Sequence, residues 1–99
     1  MTQRDQEAWR RLGSVIDPET GLSVVDLGLI YDVQAAGKGL ALRMTLTREN
    51  CPLGAFLVEA VREALATLCP DGAVLVTLSF DPPWSPERIT AAGRKALRG

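Results

Sequence analysis

Residues 53–68 carry apolar side chains at helical spacing, with strand-like alternation on either side. Leu53, Leu57, Val61, Ala64, Leu65 and Leu68 keep one stripe, widened by Phe56 and Ala60, and Glu59, Arg62 and Glu63 take the wet side. Before the helix, Leu40, Leu42, Met44 and Leu46 alternate with Ala41, Arg43, Thr45 and Thr47. After it, Val74, Val76, Leu78 and Phe80 share one face of residues 73–80. A crossover of about 16 residues is what parallel strands need and a hairpin does not. The pattern therefore dictates a parallel strand pair with a helix laid across it.

The rest of the chain is arranged around that unit. Gly37-Lys38-Gly39 reads as a hairpin turn leading back to an earlier strand, where Leu29, Tyr31 and Val33 fall on one face and Asp32 and Gln34 on the other. Residues 23–29 read equally as a short strand or a helical turn. An N-terminal helix is expected over about residues 4–12, with Trp9, Leu12, Val15 and Ile16 at helical spacing and Thr2 as cap, Asp5 being its capping-box acid. At the other end Asp81-Pro82-Pro83-Trp84 makes a rigid extended corner. Ser85 caps a last helix with Pro86 at its first position, Glu87 in its first turn, and Ile89, Ala92, Ala96 and Leu97 inward. The expected order is α-β-β-α-β-α. It gives an α/β chain of the two-layer α+β type, a small mixed three-stranded sheet with helices packed on it, as a single domain over residues 1–99.

Composition removes several kinds of function. A net charge of −1 leaves no basic excess for a phosphate backbone, so no nucleic-acid partner is expected. No unbroken apolar run approaches the roughly 20 residues of a membrane span, and the polar N-terminus is unlike a signal peptide. With two cysteines in no CxxC spacing, a reduced, cytoplasmic protein is the expectation. Absence of histidine removes the usual general base and every Cys-His relay. The glycines form neither a P-loop nor a dinucleotide fingerprint.

What chemistry remains gathers around Cys51. It follows a strand and a short loop and directly precedes Pro52, a good first residue for a helix, which would make Cys51 the N-cap of the long helix. Unpaired N–H groups and the positive end of the helix dipole favour a thiolate at such a position, giving a soft metal ligand or a nucleophile; otherwise it is a small packing residue. Cys69, about 27 Å along the same helix, is out of disulfide reach and reads as packing. Asp17 and Glu19 flank Pro18, as turn formers or as oxygen ligands. Asp26 reads as a buried anchor or as part of a site. Thr45 and Thr47 lie on the polar face leading to Cys51. Trp84 either presents a rigid aromatic to a partner or folds back onto the core.

Taken in order, Asp17-Pro18-Glu19, then Val25-Asp26-Leu27-Gly28-Leu29-Ile30-Tyr31-Asp32-Val33, then Met44-Thr45-Leu46-Thr47 with Cys51-Pro52-Leu53, then Asp81-Pro82-Pro83-Trp84, resemble the metal–sulfur cluster biosynthesis family. This is the domain-of-unknown-function family fifty-nine, with its SufT-like and PaaD-like members, and the likeness runs from about Ala8 to Leu97. The resemblance implies an iron–sulfur-assembly-type fold and a role in assembling or delivering iron–sulfur clusters. It implies Cys51 as the functional thiol, with Asp17, Glu19 and Thr47 near it. Two departures stand out: Arg48-Glu49-Asn50 replaces a small-residue loop before the cysteine, and the extra segments of longer members are absent.

Clusters of the [2Fe–2S] and [4Fe–4S] types usually take four thiolates. With one well-placed cysteine, no cluster is expected to be bound tightly by a monomer; a transient one would be shared with a homodimer mate, a client or an exogenous thiol. Expected partners are iron–sulfur assembly proteins and client apoproteins. Two roles follow: an assembly and delivery factor working through Cys51, or a non-catalytic adaptor contacting partners through Trp84, Asp81 and Tyr31. A thiol enzyme is disfavoured, because no residue stands out as a base for Cys51.

Overall fold

The computed structural model describes residues 3–98, so Thr2 and its expected cap lie outside the described residues. Helix α1 (Gln3–Leu12) is followed by strands β1 (Ile30–Ala36) and β2 (Gly39–Met44), helix α2 (Gly54–Ala66), strand β3 (Val74–Leu78) and helix α3 (Ala91–Leu97). The sheet order is β1-β2-β3, with β1 antiparallel to β2 and β3 parallel to it. This is the mixed α+β sheet and the α-β-β-α-β-α order that the crossover dictates.

One core face unites the elements. Leu40, Leu42, Met44 and Leu46 are buried from β2 and its extension, and Leu57, Val61 and Leu65 meet them from α2. Ala8 and Leu12 of α1 complete the layer. Val15 and Ile16 lie past the end of α1, which stops at the Gly13-Ser14 turn. Val15 is buried, but Ile16 is 47% exposed and bridges to Ser23 instead of extending the helical stripe.

Strand β1 departs from simple alternation. Ile30 pairs with Met44 and Asp32 with Arg43, leaving Tyr31 as the extra residue of a β-bulge. Leu29, Ile30 and Val33 are buried, and Tyr31 turns away from them. Two guanidinium groups lie over its ring, that of Arg88 4.4 Å and that of Arg43 5.0 Å from the centroid.

The C-terminal segment also differs from expectation. Ser85 and Pro86 start only a 3-10 turn, Pro86–Arg88. The chain is extended at Ile89, and α3 begins afresh behind Thr90, whose hydroxyl accepts from Gly93 N. The break has a cause in residues 23–29, which form turns. Thr90 N donates to Asp26 O at 2.8 Å and Thr90 Oγ1 to Asp26 Oδ1 at 2.8 Å. Arg88 Nε donates to Gly28 O at 2.8 Å, and Trp84 Nε1 to Leu27 O at 2.6 Å. These four bonds hold the segment along the turns and draw Thr90 out of helical register. Ala92, Ala96 and Leu97 consequently stay exposed, and Gly93 is the buried residue of α3.

Candidate functional site

Met44 ends β2, and the chain loops through 45–53 before α2. Thr45 is fully buried, its N–H bonded to Leu29 O at 2.8 Å, so the expected polar pair is reduced to Thr47, which is exposed. Cys51 is not the N-cap. That position belongs to Leu53, which offers no side-chain cap, and α2 starts at Gly54. Pro52 sits in the turn ahead of it, where Cys51 O accepts from Gly54 N at 3.0 Å. Gly54 passes close over the strand extension, where a Cβ would lie 2.8 Å from Cδ1 of Leu46.

This geometry leaves Cys51 half-buried in the lining of a cavity of about 440 Å³. Leu46 and Leu78 form its sheet side, Glu49 comes from the loop, and Ala55, Val58, Glu59 and Arg62 form its helix side. Glu59 and Arg62 pair with each other at its rim. The helix contribution was missed in the sequence, although its signal is there. Positions 55, 58, 59 and 62 follow the helical repeat and form a second stripe beside the core stripe of Leu57, Val61 and Leu65.

The remaining candidates do not line this cavity, Asp17, Glu19 and Thr47 among them. Asp17 is buried and its carboxylate folds its own loop, accepting from Glu19 N at 3.0 Å and from the Thr20 hydroxyl at 3.4 Å. This is the turn-forming alternative for that carboxylate. Glu19 is exposed. Asp26 anchors Thr90, which makes it structural. Trp84 folds onto the core, half-buried, with its indole N–H committed to Leu27 O, so it is not a freely presented aromatic. Tyr31 donates its hydroxyl proton to Pro82 O, and Asp81 is exposed beside it. Cys69 is buried at 4% exposure at the far end of α2, and both cysteines are free. The described residues bring no three cysteine or carboxylate side chains together as a metal site, and none of their helices is long and apolar enough to cross a membrane.

Known proteins share both this sequence and this fold. The family described as iron-sulfur cluster assembly protein matches residues 5–76. The chain is 39% identical over 87 residues to the Fe-S protein maturation auxiliary factor YitW of Bacillus subtilis, covering 87% of this chain and 85% of that one. It is 34% identical over 84 residues to the Fe-S protein maturation auxiliary factor SufT of Staphylococcus aureus, covering 84% and 96%. A domain of unknown function, DUF59, from Bacillus anthracis superposes with a TM-score of 0.89 at 35% identity, covering 96% of this chain and 92% of the other. A match through α1, both hairpin strands, α2 and the start of β3, joined to relatives a third or more identical over most of their own length, makes this chain a member of the iron–sulfur cluster assembly protein family.

Proposed function

We propose that this chain is an iron–sulfur protein maturation factor in which Cys51 lends one sulfur ligand to a cluster on its way to a client apoprotein. The observation carrying the reading is the placement of Cys51. Of the two free thiols it is the less buried one, and it lines a cavity at the edge of the core. Thiolate sulfur is the ligand that iron–sulfur clusters take. A single such ligand suits a carrier, because a cluster held by four thiolates of one chain would resist transfer.

The cluster is cargo. Its remaining ligands come from an assembly protein, a second chain, an exogenous thiol or the client. Delivery is ligand exchange: a client thiolate binds iron as the Cys51 sulfur leaves, and the oxidation states of iron and sulfide do not change. Glu49 stands at the cavity and Thr47 is exposed four residues before Cys51; both are available to an incoming partner. Glu19 is exposed for the same purpose, and Asp17 holds the turn that carries it.

The test is maturation of an iron–sulfur client in cells relying on this chain, comparing wild type with Cys51→Ser. Client activity should fall to the level seen without the chain. Unchanged maturation would overturn the thiol role and leave the non-catalytic adaptor, in which the same fold links assembly machinery to clients without touching the cluster.

A further inference from the structure

We propose that Arg43 and Arg88, gathered on the ring of Tyr31 at the open face of the sheet, form a docking site for an acidic peptide segment of a partner protein. Residues paired across neighbouring strands point to the same side of a sheet, and successive residues of one strand to opposite sides. Leu42 and Met44 of β2 point into the core, so Arg43 between them points away from it. Asp32 of β1 and Thr77 of β3 are the register partners of Arg43 and share that side with it. The helices that complete the core pack on the other side, α2 through Leu57, Val61 and Leu65 and α1 through Ala8 and Leu12.

A surface arginine that swings freely loses rotamer entropy when a partner orders it. These two are already held. Arg43 Nε donates to Asp32 Oδ2 at 3.1 Å, and Arg88 Nε to Gly28 O at 2.8 Å. Both guanidinium groups rest over the Tyr31 ring, within 5.0 Å of its centroid. Tyr31 is itself fixed by its place in the bulge and by its hydroxyl, which donates to Pro82 O. In each arginine the nitrogen spent on this anchoring is Nε. Nη1 and Nη2 of both side chains meet no hydrogen-bond acceptor among the described residues.

Charge selects the partner. Two cations on one ring lie closer together than the Debye length of about 10 Å at 0.1 M salt, so they repel each other unless an anion joins them. Asp32 offsets one of them. Asp81 and Glu87 are exposed in the neighbouring segment, and neither forms an ion pair with Arg43 or Arg88. A carboxylate presents the planar pair of oxygens that fits a guanidinium fork. One exposed ion pair contributes little by itself, so the occupant is a peptide that brings several contacts, not a free carboxylate. Leu75, 60% exposed, pairs with Ala41 on the same face and offers that peptide an apolar contact beside the charges. A phosphate backbone fits less well, because it needs a run of cations and the whole chain carries a net charge of −1.

This face is separate from the thiol cavity, whose lining includes none of Tyr31, Arg43 and Arg88. The site therefore stands whether or not Cys51 lends a ligand to a cluster.

An NMR titration of the isotopically labelled full chain tests the proposal. The probes are a short synthetic peptide of alternating aspartate and leucine, the same peptide with asparagine for aspartate, and a short oligouridylate. The aspartate peptide should shift the signals of Tyr31, Arg43, Thr77 and Arg88, the arginine Nε–H signals included, and should bind at least tenfold more tightly than the asparagine peptide. Raising the salt should weaken it. Arg43→Gln should lose tenfold or more in affinity, and Arg43→Lys, which keeps the charge without the fork, should fall between. Arg43 lies outside the core, so both variants fold, as circular dichroism and an unchanged rate of Cys51 alkylation check. No binding at millimolar peptide, equal binding of the two peptides, binding indifferent to Arg43→Gln, or shifts confined to the residues of the thiol cavity overturns the proposal. Tighter binding of oligouridylate than of the aspartate peptide overturns it too, and gives the site to a nucleic acid.

Discussion

Cys51 and Cys69 are chemically alike and end a single helical region, yet their surroundings give them different work. Cys69 lies in the core with Leu65, where it packs as a small apolar group. Cys51, in the turn ahead of α2, packs against the edge of the core but is only partly buried and lines the cavity. Iodoacetamide at neutral pH should therefore add one carbamidomethyl group to the native protein, on Cys51, and a second only after denaturation; peptide mass spectrometry checks both. A native protein refusing the first adduct would remove the accessible thiol on which the maturation reading depends. Spacing alone exposed the contrast between the cysteines. It did not reveal that Thr45, one residue past β2, would be buried and Thr47 exposed, because that depends on where the chain leaves the sheet.

At the scale of elements, the sequence blocks around residues 25–28 and 81–84 turn out to be two halves of one contact. Backbone carbonyls of Asp26, Leu27 and Gly28 receive Thr90, Trp84 and Arg88 in turn. Gly28 makes the approach feasible: its φ is +74°, and a Cβ would lie 2.7 Å from the Arg88 Cβ. Gly28→Ala meets both a left-handed backbone and a collision, and should cost about 2 kcal/mol or more. Gly37→Ala has a comparable φ of +59° with nothing within 4 Å, and should cost only the backbone part, about 1–2 kcal/mol. Urea midpoints of the two variants measure the difference; equal losses would mean that docking of the C-terminal segment adds little. The helix at 53–68 and the hairpin at 37–39 were legible because periodicity and turn chemistry are local. The split of the last helix was not, since Ser85 and Thr90 are both competent caps and only the bond to Asp26 chooses between them.

For the whole molecule, the decisive quantity is the number of sulfur ligands offered at one place. Among the described residues that number is one at the cavity. Anaerobic reconstitution with iron and sulfide should therefore leave little cluster on the chain alone and clearly more when a low-molecular-weight thiol such as glutathione is supplied. Cys51→Ser should abolish the gain and Cys69→Ala should not; iron and sulfide analysis after desalting reads all three. Equal loading with and without added thiol would show that the chain completes the ligand shell unaided.

Apolar periodicity by itself determined the helix order, the mixed sheet and the prominence of Cys51, because burying one stripe or one strand face is a local demand that residues meet in sequence. Only the tertiary structure decided the rest. It put Leu46, Leu78 and the 55-58-59-62 side of α2 around the thiol, turned Asp17 inward to fold its own loop, and spent Trp84 on holding residues 25–28. Each of those outcomes depends on which distant backbone group a side chain meets first, and spacing along a chain does not encode that.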